Sequence, residues 1–389
     1  MNMNRNLYVL ALGVFGITTT EFGVIGVLPE LASAFRVSIE KAGWLLSAFA
    51  LIVAVFGPFM LLILSSFKRK SLLIFSLSVF VAANILSAFI TNFYLLLIVR
   101  MIPAFFHPVY WSIALSVAGQ TSDPAEKSRA VSIIFSGLTL ATVLGVPLAT
   151  FISGLLSWQS SFLLTASING VALAGVWFYL PSIQNTGASS GKFPIKTFRN
   201  KHLWNGLFLA FFIIAAMYST YGYMADFLKN VTQMNGKQIS ILFFLFGTAG
   251  IAGNRIAGKY MSRFPFQTTF VFLILLSGIH LLIGHYGSYF IPMILIVTFW
   301  GLIHSGGFLI SNINVTSSSS ETSEFINSIF TSCGNFAVTA GTLLGGFWID
   351  RYGIENILWP GIAGLFLAMI VLLVKRKQTL SCNKKQSFP

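Results

Sequence analysis

Apolar side chains run along this chain in twelve stretches of about twenty residues, parted by short polar loops, and a run of that length crosses a hydrocarbon core of about 30 Å as a helix. The runs fall at 7–28, 43–64, 72–91, 94–118, 130–153, 161–181, 203–226, 237–260, 267–286, 289–312, 324–347 and 355–374. They lack the strict alternation of barrel strands, and a backbone in lipid must satisfy its polar groups within its own segment. The pattern predicts an all-α membrane protein of twelve transmembrane helices.

The longest polar gap, 182–202, contains QNTGASSGKFPIKTFRNK and divides the spans six and six. The expected organisation is an N-terminal six-helix bundle over 1–181, a cytoplasmic linker over 182–202, and a C-terminal bundle over 203–389 ending in a basic tail. The halves echo each other. Phe56-Gly57 in span 2 precedes the basic stretch Lys68, Arg69, Lys70, and Phe246-Gly247 in span 8 precedes Arg255, Lys259 and Arg263. Phe135, Gly145 and Gly154 in span 5 match Phe330, Gly341 and Gly345 in span 11, and Thr20 before Glu21 matches Thr220 before Tyr221. Duplicated six-helix halves are a transporter architecture, with the solute expected near the midplane between them.

Charge adds orientation. An even number of spans puts both termini on one side, where about eighteen of the lysines and arginines then lie against about five opposite; the rule that cytoplasmic loops are basic sets both termini inside. These residues are Arg5, Lys68, Arg69, Lys70, Lys127, Arg129, Lys192, Lys196, Arg199, Lys201, Arg255, Lys259, Arg263 and the tail's Lys375, Arg376, Lys377, Lys384 and Lys385. Scattered over short loops, they account for the net charge of +14 without a nucleic-acid surface, and the tail cluster suits anionic headgroups. A mean hydropathy of +0.82 with 9% charged residues lies far from soluble domains, which carry about 25% charge. The first span is too long for a signal-peptide core and is expected to remain as helix 1. Cys333 and Cys382 are poorly placed for a disulfide, and no metal-ligand spacing, nucleotide motif or hydrolase motif appears, so no cofactor or enzymatic activity is expected.

Candidate chemistry sits in the few polar residues within the spans. Glu21 lies about 10 Å below the outer end of span 1, where a carboxyl group exchanges a proton as its exposure to water changes; a structural helix contact is the alternative. Arg100 lies at nearly the same depth in span 4, where it would pair with Glu21 or snorkel to the headgroups. Arg100, Pro103, His107 and Trp111 share one helical face. In span 10, Trp300, His304 and Phe308 share another, and span 7 offers Tyr218, Thr220, Tyr221 and Tyr223, a set suited to a polar, uncharged solute or to plain packing. His107, Trp111, Tyr221, Trp300 and His304 are the expected solute contacts. Asp226 is expected to pair with Lys229 at the outer surface. Glycines of spans 5, 8 and 11, Gly341-x-x-x-Gly345 among them, suit close helix packing.

Thr19-Thr20-Glu21-Phe22, Gly26-Val27-Leu28-Pro29, the segment RMIPAFFHPVYW and Leu144-Gly145-Val146-Pro147-Leu148 resemble the major facilitator superfamily, drug/proton antiporter type. His107 to Ile113, Tyr221 to Phe227 and Phe299-Trp300-Gly301 look closest to its sugar-efflux branch, which exports arabinose and related glycosides. The resemblance implies the two-bundle major facilitator fold, alternating access, and proton influx driving solute export. It makes Glu21 the membrane acid, Arg100 the helix-4 arginine, and Gly145 with Pro147 the antiporter motif of helix 5. The gate loop between helices 2 and 3 departs from the family's pattern: Lys68, Arg69 and Lys70 remain basic, but the acid and the glycines are missing.

The expected protein is a proton-coupled exporter of small solutes, sugars or glycosides first, with a multidrug/proton antiporter or a proton-independent facilitator as the alternatives. Its partners are the solute, protons and the bilayer of a bacterial plasma membrane, and the expected working unit is a monomer.

Overall fold

The computed structural model of the 389-residue chain describes residues 3–64, 67–118, 124–181, 200–317 and 323–386. Among the described residues every regular element is helical, and each of the twelve expected runs is a helix. Eleven are long and apolar enough to cross a membrane. The other, span 11 (Ser323–Tyr352), has 30 residues but carries Thr331, Ser332, Asn335, Thr339 and Thr342 among its apolar positions. Large apolar side chains stand on the outside, with Phe89 at 73% and Phe178 at 76% exposed, which only a lipid solvent accommodates. The expected linker lies outside the described residues up to 199. Lys192, Lys196 and Arg199 fall there, and the side chains of Lys127, Arg129, Cys382, Lys384 and Lys385 are also outside the described set. Asn200 caps the helix that begins at Lys201, its Oδ1 accepting from the His202 N–H at 2.9 Å.

Several spans are broken, and each break follows from its residues. Span 1 runs as α-helix over Met3–Phe22, tightens to 3-10 winding over Gly23–Val27, and resumes over Leu28–Phe35 with Pro29 in its first turn. Span 4 stops at Ala104 and restarts at His107, because Pro108 can neither donate to the Ala104 carbonyl four residues back nor fit against it, and in the first turn of the new helix its missing N–H is not needed. Span 5 contains a π-helical turn, Ala141–Gly145, which accommodates Pro147 just beyond it. Span 7 breaks at Gly222 between Lys201–Tyr221 and Met224–Asn230, and span 10 at Ser305 between Phe290–His304 and Gly306–Thr316. Spans 2, 3, 6, 8, 9 and 12 are Ile39–Ile63, Arg69–Phe89, Trp158–Tyr179, Gly236–Met261, Pro265–Tyr286 and Leu358–Gln386.

The described chain forms two units. The first holds the residues up to 181 together with Met224–Lys229 and Met234–Phe244, and its core is built from Leu10, Ile17, Phe49, Phe80, Tyr110, Ile134 and Val176 of spans 1 to 6. A Cβ at Gly13 would occupy the place of the Tyr110 ring, whose hydroxyl reaches the Leu10 carbonyl at 3.3 Å. The second unit holds the residues from 200 to Tyr223, Asn230–Gln233 and those from Leu245 onward. Span 7 is buried along most of its length there. Side chains at Gly341 and Gly345 of span 11 would strike the carbonyls of Ala215 and Ser219, so these glycines let the two backbones touch.

Candidate functional site

In the first unit the turn at Phe105–Phe106 delivers His107 to span 1. Its Nε2 lies 3.2 Å from Oε2 of Glu21, with side-chain exposures of 9% and 4%. The imidazole is held edge-on by Phe49 and tilted against Phe80, at ring distances of 5.8 and 6.4 Å. The acid and the imidazole are within ion-pair distance and walled by aromatic rings, but His107 Nε2 makes no hydrogen bond among the described residues.

This replaces the expected pairing of Glu21 with Arg100. Arg100 is buried and its Nη2 donates to the Thr20 carbonyl at 2.7 Å, while the guanidinium stacks over the Phe162 ring at 5.1 Å. The physical reason is local: where span 1 tightens from α to 3-10 winding, main-chain carbonyls lose their regular donors, and the guanidinium supplies one. Nor does Arg100 extend to the surface, so snorkelling is also excluded. Trp111 is half-buried against Phe135, with ring centroids 5.5 Å apart.

In the second unit Tyr221, Trp300 and His304 do come together. Tyr221 stacks on Phe246 at 4.9 Å and 18°, and Trp300 stands edge-on to both rings at 6.2 and 5.7 Å. His304 lies 4.9 Å from Tyr221 and 5.9 Å from Trp300. Trp300 and His304 are only 2% and 5% exposed, so in this conformation the cluster is interior to its unit. Among the described residues Trp300 Nε1 and His304 Nδ1 have no hydrogen-bond partner. His107 and Trp111 belong to the first unit and these three to the second.

The remaining expected residues are structural ties. A Cβ on Gly145 would collide with the Thr19 hydroxyl, and the Pro147 carbonyl accepts from Ser240 Oγ at 2.8 Å. Arg69 and Lys70 open span 3, and Lys68 stands at its N-cap position without a side-chain cap; Arg69 Nη1 donates to Ser116 Oγ at 2.8 Å and Lys70 Nζ to the Trp177 carbonyl at 2.9 Å. They thus bind the start of span 3 to the ends of spans 4 and 6. Asp226 is buried instead of lying at a surface, and Lys229 pairs with Glu30 at 3.1 Å instead of with Asp226.

Sequence reasoning missed Asn84, Asn169 and His280, each a strongly polar amide or imidazole in the interior of an apolar run, and that placement was the available signal. Asn84 and Asn169 both donate to Thr20 Oγ1 at 3.0 Å. In the second unit His280 Nε2 meets Thr220 Oγ1 at 3.1 Å. The two units therefore repeat one contact scheme. Thr19 meets Gly145 as Ser219 meets Gly345, and Thr20 and Thr220 each receive a polar side chain from the third helix of their half.

Long apolar helices, several of them broken, define a polytopic helical membrane protein. The Major Facilitator Superfamily model matches residues 10–342, and the chain belongs to that superfamily; it is a transporter and not an enzyme. It is 29% identical over 385 residues to the inner membrane transport protein YdhP of Escherichia coli (strain K12), covering 98% of this chain and 99% of that one. It is 26% identical over 379 residues to a protein of Helicobacter pylori (strain P12) named "Probable sugar efflux transporter", covering 97% and 96%. The nucleoside transporter NupG shares the fold with a TM-score of 0.78 at 10% identity, over 97% of this chain and 99% of that one.

Proposed function

We propose that the protein is a proton-coupled exporter of small neutral solutes, sugars or glycosides first, working by alternating access as a monomer in a bacterial inner membrane. In this reading both termini are cytoplasmic, and two six-helix bundles, 1–181 and 203–389, flank the linker at 182–202. The observation that carries it is the Glu21–His107 pair, 3.2 Å apart and shielded from solvent. A membrane acid with an imidazole partner binds a proton when one side is open and releases it when the other is, so downhill proton entry drives the solute outward. Arg100, fixed on the backbone beside Glu21, keeps positive charge near the carboxyl group in both states.

The solute class rests on the aromatic cluster and on the relatives. Among the described residues the ring contacts of Tyr221, Phe246, Trp300, His304 and His280 include no carboxylate, lysine or arginine, which suits an uncharged ligand with apolar C–H faces and hydroxyl groups. Several relatives are named as sugar efflux transporters.

Uptake of a panel of labelled sugars into inside-out membrane vesicles, with and without an imposed interior-acid gradient, tests this reading. The expected result is accumulation of at least one sugar or glycoside only when the gradient is present. Equal uptake in both conditions for every member would overturn it.

A further inference from the structure

We propose that Thr20, with Asn84 and Asn169, is a positioning device that sets the orientation of the Glu21 carboxyl group, and that these three residues tune its proton exchange without themselves carrying the proton. The inference rests on the reading of Glu21 as the proton carrier.

Thr20 is held from three helices at once. Its hydroxyl donates to the Gly16 carbonyl at 3.0 Å, leaving the oxygen free to accept, and it receives Nδ2 of Asn84 from span 3 and Nδ2 of Asn169 from span 6. The carboxamide orientations are forced. Asn84 Nδ2 also reaches the Phe80 carbonyl at 2.8 Å, and Asn169 Nδ2 the carbonyls of Thr165 and Gly16 at 2.9 and 3.2 Å, and carbonyl oxygens accept only from the nitrogen end. The Thr20 carbonyl takes Arg100 from span 4. Thr20 thus keeps its hydroxyl proton on Gly16 of its own helix and gives its side-chain oxygen and its carbonyl to three neighbouring helices immediately before Glu21, and span 1 leaves α-helical winding after Phe22.

A role in packing alone fits poorly. Oδ1 of both asparagines is buried without a partner among the described residues, a standing cost that leucine or alanine at these positions would not carry. The second unit repeats the clasp with different chemistry, His280 on Thr220, and there too the clasped threonine precedes a residue facing a histidine, Tyr221 against His304. What the two units share is a fixed azimuth for the residue after the threonine. Among the described residues the titratable or charged groups in contact with Thr20 and Glu21 are Arg100 and His107 of span 4; spans 3 and 6 present carboxamides to Thr20, and span 5 presents Gly145 to Thr19.

The test is an infrared pH titration of purified protein, following the carboxyl stretch assigned to Glu21 by its disappearance in Glu21→Gln. Thr20→Val keeps the side-chain shape and removes the hydroxyl, and its midpoint is expected to move by about half a pH unit or more, with Thr20→Ser returning it to the parent value. Asn84→Leu and Asn169→Leu, which keep bulk and remove the donors, are expected to move it in the same direction. Unchanged midpoints in folded Thr20→Val, Asn84→Leu and Asn169→Leu, with only lower thermal stability, would overturn the proposal and leave these residues as helix glue. The titration needs neither solute nor gradient, so it fails separately from the export reading, which vesicle uptake decides.

Discussion

Glu21 and His107 meet where a lone charge is expensive, so each residue's state is tied to the other's. Removing one partner of a buried pair costs about 3–5 kcal/mol where the remaining charge stays uncompensated, whereas an amide that keeps shape and hydrogen bonding avoids most of that. The same logic separates two roles for Trp300. Its Nε1 has no partner among the described residues, so Trp300→Phe breaks no hydrogen bond within the protein and costs only the packing of the larger ring. If the atom serves a solute, Trp300→Phe weakens sugar binding by about twofold to twelvefold, the worth of roughly 0.5–1.5 kcal/mol of hydrogen bond, in addition to any drop in the unfolding midpoint from the smaller ring. His304→Ala is expected to weaken binding at least as much. Binding isotherms and thermal scans on the same preparations check this, and a lowered midpoint with parental affinity would return both residues to the core.

Glycine contacts act at the scale of whole elements. Gly145 faces Thr19 of span 1 and Gly345 faces the Ser219 carbonyl of span 7, while nothing approaches within 4 Å of a Cβ at Gly170. Gly145→Leu and Gly345→Leu are therefore expected to destabilise by about 1–3 kcal/mol through overpacking, and Gly170→Leu to be nearly silent. Thermal unfolding in detergent reads the difference; equal midpoints in all three would mean the close approaches carry no load. The spans themselves were legible because twenty apolar residues admit only one backbone solution in lipid. Their breaks were not. A single turn of altered winding at Gly23–Val27 or Phe105–Phe106 leaves the hydropathy of its run unchanged, although Pro29, Pro103 and Pro108 mark the places. The partner of Glu21 was lost with them. Depth along two helices placed Arg100 beside it, but the rotation of each helix and the tightened turn before His107 decide which side chain arrives. Asn84, Asn169 and His280 were visible as amide and imidazole side chains inside apolar runs, yet what they bind depends on helix phase, which one sequence does not state.

At the scale of the whole molecule, exposed Phe89 and Phe178 face a solvent that must be lipid, and the acid–imidazole pair lies within the first six-helix half while the aromatic cluster lies within the second. In the proposed cycle these two places answer to each other through reciprocal linkage: if solute binding lowers proton affinity, proton binding lowers solute affinity by the same factor. Purified protein in lightly buffered detergent, challenged with a transported sugar while a pH indicator is read, measures that linkage directly. Solute addition is predicted to release about one proton per protein when Glu21 is protonated beforehand, and none from Glu21→Gln although it still binds the sugar. Saturable binding to the parent protein with no proton released at any pH would contradict the account.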